Sequence, residues 1–183
     1  MTALLLGALS FPICALSDWL GLRGKRRSAS ALFALGCLLL AASSVALFRD
    51  NYPGHLTLLR VLLLLGAAGA LALEFYTLFF ALPFSDTYAG DGGLSVVDTG
   101  VYALCRHPGV LWLALMYLLA AAALGGAQLW TAALLYTALD MAYVWWQDRF
   151  IFPHTLAGYG AYQKRTPFLL PTRDSIRACF RSK

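Results

Sequence analysis

Five long apolar blocks alternate with short polar interruptions along the chain: Leu4–Leu20, Ala31–Phe48, Leu58–Leu82, Val110–Leu124 and Leu129–Trp146. Each is apolar on all sides and too long for a strand, the pattern of a helix surrounded by lipid. The third block has 25 residues, and at about 1.5 Å per residue it spans ~37 Å, enough to cross a core of about 30 Å with some tilt. Pro12 interrupts the first block and Asp18 lies near its end. Gly125-Gly126-Ala127-Gln128 joins the last two so tightly that they form an antiparallel hairpin. The pattern predicts an all-α polytopic bundle of about five transmembrane helices, organised as one membrane domain. Within it, residues 1–83 hold three spans, 84–108 a polar loop, 109–146 the hairpin and 147–183 a polar, basic tail broken by Pro153, Pro167 and Pro171.

Composition agrees. Of the 183 residues 60% are hydrophobic and only 13% charged, with a mean hydropathy of +0.68, whereas soluble chains carry roughly 25% charged residues. The net charge of +5 does not point to nucleic acid, because the basic residues stand in short runs beside apolar blocks, where they set topology and meet anionic lipid. With five spans, the first loop, the polar loop at 84–108 and the tail share one side. That side holds 12 of the 14 Lys and Arg residues, and the other only Arg49 and Arg60. The positive-inside rule therefore places the N-terminus outside and the loop and tail in the cytosol. Cys14, Cys37, Cys105 and Cys179 form no metal-binding spacing or disulfide framework, and no metal site is expected. The first segment lacks a basic leader and is expected to be retained as a helix.

The candidate chemistry is concentrated at Thr99–Pro108. Gly100 permits a tight turn or close approach, and Pro108 suits the first turn of the following helix. Arg106 can grip a carboxylate or phosphate in two-point fashion, and His107 can donate or accept a proton. Taken alone, the block equally fits a juxtamembrane anchor. On the same side, Gln147-Asp148-Arg149 marks the exit of the last helix, followed by Tyr159, Tyr162, Lys164 and Arg165; taken alone this tail fits an interfacial segment. Two acids, Glu74 and Asp140, lie inside the membrane, where ionised aspartate costs about 2.5–3.5 kcal/mol on insertion scales and must face the bundle interior. Counted along straight helices, each lies about 12–14 Å inside the cytosolic end, so they can share one cavity. Trp130, Trp145 and Trp146 fit an aromatic belt, and Gly66, Gly69 and Ala70 allow a close helix approach to the third span.

The succession Gly100-x-Tyr102-x-x-x-Arg106-His107-Pro108, a helical hairpin, an acidic residue and then Tyr159-x-x-Tyr162-x-x-x-x-Pro167 resembles the isoprenylcysteine carboxyl methyltransferase and phospholipid methyltransferase superfamily. The resemblance covers about Leu94–Pro171. It implies an integral membrane enzyme whose cytosolic tail helps bind S-adenosylmethionine, with a lipophilic or small membrane-accessible acceptor reaching the site from the bilayer, between the hairpin and the third span. It further implies that Arg106 and His107 hold the carboxylate end of the cofactor and Asp148 its amino or ribose groups. Tyr102, Tyr159 and Tyr162 would pack on the adenine or face the sulfonium, and Gly100 and Pro108 would shape the pocket. Arg106, Asp148, Glu74 and Asp140 are the candidate catalytic residues. The chain departs from the family where two adjacent glutamates are common, at Gln147-Asp148, and at Thr155-Leu156 and Val110. Two alternatives stand beside this reading: a membrane sterol or steroid reductase using NADPH, and a non-catalytic lipid-binding relative.

Overall fold

A computed structural model describes residues 1–81 and 94–181. The polar stretch Ser85–Asp98, with its Asp-Gly-Gly at 91–93, lies largely outside the described residues, as do Leu82 and Pro83. The described chain is all-α but for one two-residue parallel bridge. Its long helices are α1 (Thr2–Leu22), α2 (Arg26–Asp50) and α3 (Leu58–Phe75), the last continuing as a π-helical turn, Tyr76–Phe80. These three are long and apolar enough to cross a membrane. The hairpin follows as α5 (Pro108–Leu124), apolar but 17 residues long, and α6 (Ala127–Trp146), which also ends in a π turn, Gln147–Ile151. Short helices complete the chain: α4 (Val101–Leu104) within the polar motif, then α7 (Phe152–Thr155), α8 (Tyr159–Arg165) and α9 (Arg173–Arg181) in the tail. Strand β1 (Leu94–Ser95) pairs with β2 (Leu156–Ala157), so the motif segment and the tail already share backbone hydrogen bonds.

Boundaries shift from the sequence expectation for local reasons. The basic loop expected over 21–28 contracts to Arg23–Lys25, because arginines are good helix formers and α2 starts on them. Pro108 occupies the first turn of α5, where its missing N–H would have had no helical partner. Gly125 (φ +80°) and Gly126 (φ +86°) make the hairpin joint in a conformation that side chains disfavour.

The packing order is α2–α1–α6–α5–α3. Helix α1 lies along α2, the hairpin arm α6 packs against α1, and α3 lies on α5. The hairpin carries the core, with Tyr117, Leu129, Ala132 and Tyr136 fully buried. Polar side chains stitch it to α1 and α2. Tyr136 donates to the Leu4 carbonyl (2.9 Å) and meets Ser43 Oγ (2.9 Å), Ser43 donates to the Ala3 carbonyl (2.7 Å), and Ser44 pairs with the Tyr117 hydroxyl. In lipid such bonds matter because no water competes for the groups. Met1, Asp50, Asn51, Ala127 and Gln128 line one depression at one end of the bundle, so the N-terminus, the α2–α3 turn and the hairpin joint share that end. Helix α3 lies directly on α5, so the third long helix and the hairpin are in contact along that arm.

Small residues set the helix separations. A Cβ on Gly36 would stand 2.5 Å from Cys14 Sγ and 3.2 Å from the Ser10 carbonyl, so α1 and α2 touch there. On α3, Gly66 faces Leu119 and Ala70 is buried, but Gly69 meets nothing within 4 Å and belongs to the outer surface. Accordingly, Gly36→Val should destabilise the protein by about 1–3 kcal/mol through overpacking. Gly69→Ala should be neutral or gain up to ~1 kcal/mol of helix propensity. Thermal unfolding in detergent separates the two.

Candidate functional site

The polar motif folds as a turn, one helical turn and an extended residue before α5 begins. Gly100 adopts φ +57° at the start of α4, the backbone requirement that explains glycine there. Cys105 is extended and fully buried, which turns Arg106 and His107 inward. At the other side of the site, the π turn Gln147–Ile151 inserts an extra residue into the end of α6. Such bulges re-aim side chains relative to a regular helix, and here Asp148 points into the protein, 5% exposed.

Arg106 and Asp148 meet in a two-point ion pair: Nε donates to Oδ1 at 2.9 Å and Nη2 to Oδ2 at 3.1 Å. Arg106 Nη1 donates to the carbonyls of Gln163 (2.8 Å) and Thr166 (3.0 Å), and its backbone N–H to the Pro167 carbonyl (2.9 Å). The guanidinium thereby satisfies carbonyls at the C-terminal end of α8, where a cation is favoured. Asp148 accepts further bonds from the Tyr159 hydroxyl (2.6 Å) and Gln163 Nε2 (3.0 Å), and His107 Nε2 lies 3.2 Å from Oδ1. Aromatic rings enclose the cluster: Phe152 stacks on His107 and Phe168 stands edge-on to it, 5.5 Å from the Arg106 guanidinium. Burial opposes ionisation of Asp148, but the bonds from His107, Tyr159 and Arg106 and the charge of Arg106 outweigh it and hold the carboxyl well below the ordinary aspartate range. Burial, then the bond to Asp148, pushes the Tyr159 hydroxyl far up.

Tyr102 ties this cluster to the third span. Its hydroxyl donates to the Thr77 carbonyl (3.0 Å) in the π turn after α3, and its own carbonyl accepts from Tyr162 (2.7 Å). Trp112 Nε1 donates to Thr77 Oγ1 (3.1 Å) from the first turns of α5. Beneath the motif, the Glu74 carboxylate lies against Gly109, 3.2 Å from where a Cβ would be, beside the first turn of α5. Its Oε2 is buried without a hydrogen-bond partner among the described residues. Glu74 lies within electrostatic reach of Asp140 and of Tyr102.

The neighbours Gln147 and Asp148 face opposite ways. Gln147 Nε2 donates to Asp18 Oδ2 (2.8 Å) and to the Tyr143 hydroxyl (2.9 Å), and Tyr143 donates to the same Asp18 oxygen (2.7 Å). Glutamine is the residue this place requires, since a carboxylate at 147 would confront Asp18.

The structure thus brings Gly100, Tyr102, Arg106, His107, Pro108, Asp148, Tyr159 and Tyr162 together at one end of the bundle, with Glu74 below them against Gly109. It revises how several of them act. Arg106 and Asp148 hold one another: the guanidinium makes four bonds inside the chain and is not free to grip a ligand carboxylate in two-point fashion, and the Asp148 oxygens are saturated. Tyr159 and Tyr162 are 3% and 2% exposed and pack on each other, so neither ring offers an open face to an adenine or a sulfonium. Sequence reasoning missed Gln163, which bridges the Asp148 carboxylate and its backbone carbonyl, and the Asp18–Tyr143–Gln147 cluster. Gln163 lies one residue after the Tyr-x-x-Tyr spacing, its only signal. Comparison of the chain with protein-family models, curated proteins and solved structures returned no match.

Two predictions follow from these contacts. Gln147→Glu places two carboxylates together and should destabilise the fold by about 1–3 kcal/mol; adding Asp18→Asn should recover most of the loss in a double-mutant cycle. Asp148→Asn removes the ion pair, leaves Arg106 buried without a counter-charge and should cost about 3–5 kcal/mol, seen as faster amide exchange across α8. The wild-type contribution of Asp148 is fully present above the ordinary aspartate pKa of about 3.9. It is lost only as pH falls through the lower folded value, so tail protection should be flat from neutral pH to about pH 4.

Proposed function

We propose that the chain is an integral membrane methyltransferase using S-adenosylmethionine, with five spans, the N-terminus outside and the motif and tail cytosolic. One observation carries the reading. Arg106 and Asp148 lie 42 positions apart and Tyr102 and Tyr162 lie 60 apart, yet they converge on one buried cluster through direct bonds. A set of independent headgroup anchors has no reason to do so.

The residues present suit a positively charged group beside Glu74. Its Oε2 is a buried carboxylate oxygen with no partner among the described residues, and glycine at 109 is what lets that carboxylate pack against the first turn of α5. When bound, S-adenosylmethionine supplies a methyl group on a sulfonium, an electrophile with its leaving group already in place. The protein's share is alignment and exclusion of water. Glu74 and Asp140 supply negative charge facing that centre, and Glu74 takes the proton that an amine or thiol acceptor gives up on methylation. The same pair of acids disfavours a carboxylate acceptor by like-charge repulsion. Arg106, His107 and Asp148 act as positioning residues that hold the tail over the hairpin, while Tyr102 ties α3 to it. The acceptor, lipophilic or small, reaches Glu74 from the bilayer on the α6 side of α3.

The detergent-purified chain should bind S-adenosylhomocysteine in a direct titration and leave NADPH unbound. NADPH binding instead would assign the chain to the reductase chemistry, and binding of neither to a non-catalytic lipid-binding role. Replacing Glu74 and Asp140 together with glutamine should lower methyl transfer by about 100-fold or more, the usual share of a general base, with α8 protection unchanged. Unaltered turnover in that variant would remove both acids from the mechanism.

A further inference from the structure

Helix α9 is the last described element, and its two exposed faces are chemically different. Its start is fixed by a reciprocal cap: the Ser175 N–H donates to Thr172 Oγ1 (3.2 Å) and the Thr172 N–H to Ser175 Oγ (2.8 Å). At helical spacing, Ser175 is buried and Cys179 half-buried, on the face that packs against α4 in the motif. Arg173, Arg177 and Arg181 recur every fourth residue on an exposed face, where among the described residues Arg177 meets Asp174 at 3.6 Å. Between these faces stand Ile176 and Phe180, the latter 80% exposed. Leu170, just before the helix, is 75% exposed as well.

The height of α9 in the molecule is also fixed. The motif helix α4 leads within four residues into the apolar helix α5, and the preceding tail is bound to the exit of α6 by Asp148 and Gln163. At that exit Trp145, Arg149 and Phe150 are all exposed. So α9 lies level with the end of the bundle that carries most of the basic residues. An exposed arginine row flanked by exposed Ile and Phe, held at that level, is complementary to a surface that is negative outside and apolar just beneath.

We propose that α9 is a docking element for an anionic lipid surface. It lies in the plane of the interface, with Arg173, Arg177 and Arg181 on acidic headgroups and Ile176 and Phe180 inserted at their base. The partner is the membrane the chain already sits in, and what α9 reads is its charge. The inference is independent of the reaction assigned to the site.

The test uses the full chain in nanodiscs of phosphatidylcholine alone and of phosphatidylcholine mixed equally with phosphatidylserine, read by amide hydrogen exchange over α9. Each arginine near a negative leaflet favours the bound state by roughly five-fold, so slowing of α9 exchange in the anionic discs by about tenfold or more is expected, reversed by high salt. The triple variant Arg173→Gln/Arg177→Gln/Arg181→Gln should abolish the difference between the lipids. Phe180→Ala should weaken protection in the anionic discs, with exchange over α6 unchanged in both variants. Equal exchange in the two lipids, or protection that rises with the number of chains per disc and so assigns the face to a second copy, overturns the proposal.

Discussion

A single buried ion pair, Arg106 with Asp148, organises the end of the molecule where the motif meets the tail. Removing two charges from water is costly, and their attraction offsets that cost only where geometry is good and remaining donors and acceptors are satisfied. Both conditions hold. The contact is two-point, the remaining Arg106 bonds go to carbonyls at the end of α8, and Tyr159, Gln163 and His107 complete the carboxylate's shell. Such a pair adds geometric specificity more than raw stability, because neither partner has an alternative inside the bundle.

The pair links three separate parts of the chain. Arg106 stands just before the hairpin, Asp148 just after it, and the carbonyls of residues 163, 166 and 167 belong to the tail. Through Tyr102 and Thr77 the link extends to the π turn that ends α3. Below this roof, one buried oxygen of Glu74 has no hydrogen-bond partner among the described residues.

Much of this architecture could be read from the chain. The apolar blocks marked the long helices, Gly125-Gly126 the hairpin joint and Pro108 the start of α5, because backbone requirements of glycine and proline are written locally. The grouping of the motif with the tail followed from charge and spacing. The roles inside the group did not. Which groups saturate Asp148 depends on the π turn that re-aims it, and one extra residue in a helical turn leaves no mark on hydrophobic periodicity. For the same reason the opposite orientations of Gln147 and Asp148, and the bonds made by Gln163, are properties of the fold. Gly69 shows the reverse case: its composition suggested a helix contact, and its position on α3 turned it outward.

The separation of the partners along the chain also has a consequence for biosynthesis. A ribosome delivers Arg106 first, Asp148 some forty residues later, and Tyr159, Gln163 and Thr166 later still. The hairpin is therefore made while both of its charged ends lack the groups that later surround them. The cluster closes only when the tail arrives, so a chain cut short before residue 163 lacks the Gln163 and Thr166 bonds that complete it.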